Sequence, residues 1–110
     1  MVLVTTPSAE KAAGIARALV TERLAACGNV VPGLRSLYRW EGKVQDDAEA
    51  LLLLKTTRRR FAALRARVLA LHPYQVPEVL ALPVWAGHAA YLDWIAACTS
   101  TSRRLSASSP

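Results

Sequence analysis

The chain has 110 residues, a formal net charge of +6 and an apolar content of 53%. That length suits one domain around one core, and that apolar content excludes a disordered polyelectrolyte. The most apolar short run, Ala50 to Leu54, falls far short of the ~20 residues a membrane helix needs, so no membrane partner is expected.

Met1 leads directly into Val2-Leu3-Val4 with no basic segment and apolar leader, which makes a cytoplasmic location the expectation. Residues 1–6 form a short β-branched run, ended by Thr6-Pro7-Ser8, where a hydroxyl can cap a helix and proline fits its first turn. In that helix Ala12, Ile15, Ala16, Leu19 and Val20 share one face. From about Cys27 to Lys55 the pattern predicts a long β-hairpin. Pro32-Gly33 marks a bulge in its first strand, and Glu41-Gly42 supplies the turn. Leu34, Ser36, Tyr38 and Trp40 share one face of the first strand and Arg35, Leu37 and Arg39 the other. The return strand passes the Asp46-Asp47 pair and ends in an aliphatic run that reads as buried on both faces.

Thr57 is the expected cap of a second helix, with Phe61, Leu64, Val68 and Leu71 at helical spacing and arginines opposite. His72-Pro73-Tyr74-Gln75-Val76-Pro77 ends that helix in a stiff loop, because two prolines remove donors and force extended backbone. Val79 to Trp85 reads as a fourth strand, and Tyr91, Leu92, Trp94, Ile95 and Cys98 as a third amphipathic helix. Residues 1–98 are expected to make a single domain, with 99–110 a flexible Ser/Thr-rich tail. The order is β-α-β-β-α-β plus a C-terminal helix: an α+β, ferredoxin-like fold with helices on one face of an antiparallel sheet. The aromatic hairpin and the other sheet face would be exposed in a monomer, so self-assembly is expected.

Val4-Thr5-Thr6-Pro7, Leu24-Ala25-Ala26-Cys27, Pro32-Gly33, Tyr38-Arg39-Trp40-Glu41-Gly42-Lys43, Lys55-Thr56-Thr57, His72-Pro73-Tyr74 and Val76-Pro77-Glu78 form one set of stretches, continued by Ala81-Leu82-Pro83-Val84 and Tyr91-Leu92-Asp93-Trp94-Ile95. Together they resemble the CutA family of divalent-cation tolerance proteins. The resemblance implies a ferredoxin-like fold close to the PII signalling proteins and a homotrimer built through the long strands. It also implies a cytoplasmic, metal-linked role. In bacterial members the copper site resembles a cysteine and two adjacent histidines, and the matching positions here hold Val4, Leu71 and His72. His72 is therefore the metal candidate, expected to bind copper weakly, with any further ligand supplied by a neighbouring subunit. Cys27 and Cys98 lie outside any CxxC spacing and read as small buried thiols, and His88 reads as a surface residue.

Glu78 beside an apolar strand needs a partner. Lys55 is the expected one, with Tyr74 and Tyr38 near across a subunit contact, forming either a ligand cleft or an ion pair that sets trimer register. Arg35, Arg39 and Trp40 are expected to pack the trimer-interface hairpin. Arg58-Arg59-Arg60 with Arg65 and Arg67 make a basic face that attracts nucleic acid only non-specifically, because the aliphatic central strand offers no aromatics for stacking bases. Acylphosphatase shares this kind of fold, but no phosphate-cradling glycine loop and no nucleophile–base arrangement is present, so no enzyme activity is expected. The functional expectation is a trimer that handles a divalent cation, or a small ligand, at inter-subunit clefts. The alternative is a PII-like signalling module for a small anionic ligand or a protein partner, without a metal role.

Overall fold

The computed structural model describes residues 1–100. Three helices lie against a four-stranded antiparallel sheet of order β2-β3-β1-β4. Strand β1 is Val2–Thr6, β2 Cys27–Trp40, β3 Lys43–Lys55 and β4 Leu80–Ala81; the helices are α1 Ala9–Thr21, α2 Arg58–Leu71 and α3 Ala89–Cys98.

Local chemistry sets the boundaries. The Ser8 Oγ accepts from the Lys11 N–H at 3.1 Å and caps α1. Thr57 occupies the same position before α2 but makes no capping bond with its side chain. Instead Thr56 Oγ1 donates to the Leu24 carbonyl, tying the end of β3 to the loop after α1. The hairpin turns through Glu41 and Gly42, both at positive φ, as a two-residue turn matched to strand twist requires. Register slips between Val31 and Leu34, so Pro32 and Gly33 form the expected bulge.

Alternation along β3 divides the sheet. Ala50, Leu52 and Leu54 are buried against Val2, Val4, Ile15, Leu19, Leu64 and Val68. Leu51, Leu53 and Lys55 point to the face the helices leave open, and are half-buried. Of the expected α1 face, Ala12, Ile15, Ala16 and Leu19 are buried but Val20 is exposed. The hairpin outruns this core. Leu37 is 63% and Val44 67% exposed near its tip, and the molecule measures 50 × 27 × 22 Å.

Two expectations are corrected. The strand expected over Val79 to Trp85 is paired at only Leu80 and Ala81, extended by bonds between Met1 and Leu82. It stops there because its partner β1 starts at Val2 and Pro83 has no N–H to give. Val84 and Trp85 run on without a strand partner among the described residues, Trp85 98% exposed. Thr99, expected in a loose tail, is buried, and its hydroxyl donates to the Ile95 carbonyl at 2.9 Å. Of that expected tail, residues 101–110 lie outside the described residues.

Gly28 sits where β2 passes under α1. A Cβ there would lie 2.8 Å from the Ala16 Cβ and 3.3 Å from the Leu54 side chain. Ala16 has no rotamer with which to yield, so the helix itself must shift. Gly28→Ala is expected to cost about 1–3 kcal/mol in urea denaturation; an unchanged midpoint would show that α1 is not held against β2.

Candidate functional site

The loop between α2 and β4 folds over the base of the hairpin, and His72 fastens it. His72 is buried, and its Nε2 lies 2.7 Å from the Thr5 carbonyl. A carbonyl only accepts, so Nε2 carries the proton. The other nitrogen, Nδ1, accepts from the Tyr74 N–H at 3.1 Å. His72 therefore joins β1 to the loop as a neutral ring, with both nitrogens engaged.

Beyond this brace the loop and the hairpin enclose a cavity of about 760 Å³, lined among others by Thr5, Tyr38, Trp40, Glu49, Tyr74 and Glu78. Register explains the hairpin's contribution. Leu34 faces Glu49, Ser36 faces Asp47 and Tyr38 faces Gln45, all on the open side of the sheet. The Tyr74 hydroxyl donates to Glu49 at 2.6 Å and the Tyr38 hydroxyl to Asp47 at 2.5 Å. Tyr74 is held above the usual tyrosine range by burial first and the Glu49 bond second. Tyr38 is raised chiefly by its bond to Asp47. Arg35 forks onto Asp46 at 2.7 and 3.0 Å, which holds the Asp46 carboxyl below its usual range and leaves this guanidinium engaged.

The raised phenols give a pH prediction. A folded state that keeps a proton longer than the unfolded chain gains stability fully below the ordinary tyrosine pKa near ~10, and loses it as pH rises through the raised values. All three tyrosines are raised, Tyr91 mainly by burial. Absorbance titration of the folded protein should show no full tyrosine step near pH ~10, and Tyr74→Phe should remove the highest step. A wild-type step at the ordinary pH would contradict the Tyr74–Glu49 bond.

The profile of the CutA1 divalent ion tolerance protein family matches residues 1–98. The chain belongs to that family. The divalent-cation tolerance protein CutA of Thermus thermophilus is 60% identical over 95 residues, covering 86% of this chain and 92% of that protein. A solved Cut A1 structure from the same species superposes with a TM-score of 0.88 at 58% identity, covering 90% and 96% of the two chains. The apo structure of a PII-like protein CutA from Nostoc sp. PCC 7120 superposes at 0.84 and 34% identity, covering 92% and 97%. The chain spans just over half the length of several plant and animal CutA relatives. No helix among the described residues is long and apolar enough to cross a membrane.

Within this CutA1-family chain the predicted site residues divide between two places. Tyr38, Tyr74 and Glu78 meet at the cleft with Trp40, but Lys55 does not join them. Lys55 is paired opposite Cys27 at the far end of β3 and donates to Asn29 Oδ1. Glu78 precedes β4, whose Leu80 pairs with Leu3, so it falls level with Thr5, opposite Leu51 rather than Lys55. Four residues of strand separate those levels, roughly 13 Å. The expected Lys55–Glu78 pairing is thus not made within a protomer. Glu49, which the sequence reading did not single out, joins the cleft as the acceptor of the Tyr74 hydroxyl. Its signal is its place in the same alternation of β3 as Leu51 and Leu53, and the bulge in β2 sets Leu34 opposite it.

His72 is likewise not presented as a free ligand. Val4 is wholly buried in the core, Leu71 packs at its edge, and no group of three His, Cys, Asp or Glu side chains among the described residues is placed to hold a metal ion. One protomer does not fit a copper site. Arg39 is exposed on the hairpin, with no hydrogen bond or ion pair among the described residues. The basic face is partly committed: Arg67 forks onto Glu22, Arg60 donates to the Arg23 carbonyl and Arg65 lies over the Phe61 ring. His88 stands at the start of α3 without a capping bond, and Cys27 and Cys98 are free thiols, half-buried rather than buried.

Proposed function

We propose that this protein acts in tolerance of divalent cations as a homotrimer, and that a cation or small ligand is bound where the cleft of one copy meets the hairpin of the next. The observation that carries this reading is the hairpin itself. It projects past the helices with Leu37, Tyr38, Trp40 and Val44 exposed, a larger apolar surface than soluble monomers usually leave open. The family name supplies the cation link, since relatives are described as divalent-cation tolerance proteins. A binding role, rather than catalysis, is part of the proposal, as is a cytoplasmic setting, which two unpaired thiols suit.

The chemistry of the cleft shapes the metal part. Glu49 and Glu78 offer carboxylate oxygens, which suit hard cations, whereas copper prefers nitrogen and sulfur, and the two phenols keep their protons for Glu49 and Asp47. Copper at His72 would have to displace Thr5 or Tyr74 and draw its other ligands from a second copy. Calorimetry with Cu(II) and Mn(II) tests the site. Saturable heat is expected in the wild type and about tenfold weaker affinity in Glu49→Gln/Glu78→Gln. Unchanged affinity in that variant would move the site elsewhere. A PII-like signalling role is the second reading, favoured by the likeness to the Nostoc protein; a small anion that stabilises the trimer while metal has no effect would select it.

A further inference from the structure

A second cavity, of about 710 Å³, opens at the opposite end of β3 from the cleft. Its walls are largely hydrocarbon: Phe61 of α2, Leu92 and Ile95 of α3, and Leu82 and Val84 of the unpaired run after β4. Its charged side chains are Lys55 and Arg58, and no carboxylate among the described residues lines it. Arg58 has no hydrogen bond or ion pair among the described residues, and Lys55 is bonded only to the neutral Asn29 amide oxygen. The Met1 amino group, spent on the Leu82 carbonyl, is pushed down by burial first and by Lys55 second, so two like charges lie near each other at the cavity.

We propose that this cavity binds a small amphipathic carboxylate. The tail lies against Phe61, Leu92 and Ile95, and the head is neutralised by Lys55 and Arg58. An apolar pocket of this size with cationic residues in its lining offers a small ligand both a wall for a tail and a charge for a head. The sign of those groups selects an anion over a cation, and the apolar walls select a hydrocarbon tail over inorganic phosphate. The proposal stands independently of the cleft at Glu49 and of any metal role.

Octanoate and octylammonium, equal in tail and opposite in charge, separate the possibilities when titrated into the isotope-labelled full chain and followed by amide NMR. Octanoate is expected to shift the amides of Thr56, Thr57 and Leu92 saturably, and octylammonium to leave them unmoved. Lys55→Met and Arg58→Gln should each weaken octanoate by about tenfold. Arg58 is exposed, so its variant decides the matter even if Lys55→Met fails to fold. An equal response to both probes would reduce the cavity to a greasy patch, and unchanged affinity in Arg58→Gln would remove the charged recognition. Absence of any saturable shift would mean that a second copy of the chain fills the space. Each of these results overturns the proposal.

Discussion

Leu52→Ala is expected to lower the unfolding free energy by about 3 kcal/mol, within the range of roughly 2–5 kcal/mol seen for leucine truncation in cores. Leu52 is fully buried in β3, the strand that pairs with β1 on one side and β2 on the other. It faces Val4 across one ladder and Val30 across the other, with helix residues packed above. Strands hydrogen-bonded on both sides cannot collapse into the void, so the cavity term persists alongside the lost transfer energy. Leu51→Ala, one residue away on the open face and half-buried, should cost clearly less in the same denaturation series. Equal losses at the two positions would show that the open face is as well covered as the helix face. Variants must be compared at one protein concentration, because an oligomer's stability depends on it.

His72→Ala is expected to cost about 2–3 kcal/mol, more than a histidine ligand awaiting a metal would. Removing the ring leaves the Thr5 carbonyl and the Tyr74 N–H, both part-buried, without their partners, which puts each at the low end of the about 1–3 kcal/mol that a buried unsatisfied group costs. The loss should be local as well as global. With the brace gone, Tyr74 is freed from Glu49, and its titration should fall toward the ordinary tyrosine range in the absorbance experiment. His72→Gln restores a donor toward Thr5 and should recover part of the stability. A variant as stable as the wild type in metal-free buffer would contradict the bracing role and return His72 to the pool of free ligands.

Much of this fold was legible in the sequence because its signals are local. The hairpin's two strands, its Pro32-Gly33 bulge and its Glu41-Gly42 turn follow from alternation and turn chemistry within a few residues of each other. The buried faces of α1 and α2 follow from 3.6-residue spacing. The length of β4 was not legible, because it is set by where β1 begins, some eighty positions earlier in the chain. The cleft was half visible. Tyr38, Tyr74 and Glu78 line it together, but how far Glu78 lies from Lys55 within one chain depends on a register that only the β1–β4 ladder supplies. The occupation of His72 was invisible for the same reason: its Nε2 is satisfied by a backbone carbonyl 67 residues away, and backbone acceptors leave no mark in composition. The family resemblance added the copper comparison, and the missing ligands at Val4 and Leu71 turned attention from one protomer to the surface between copies.

That surface is the central claim, and light scattering coupled to gel filtration at micromolar concentration tests it most directly. The wild type should elute with three times its 11.9 kDa chain mass, and placing aspartates at the exposed Leu37 and Val44 should shift the protein toward the single-chain mass. A wild type that elutes at the mass of one chain would contradict the trimer and, with it, a cleft completed by a neighbouring hairpin.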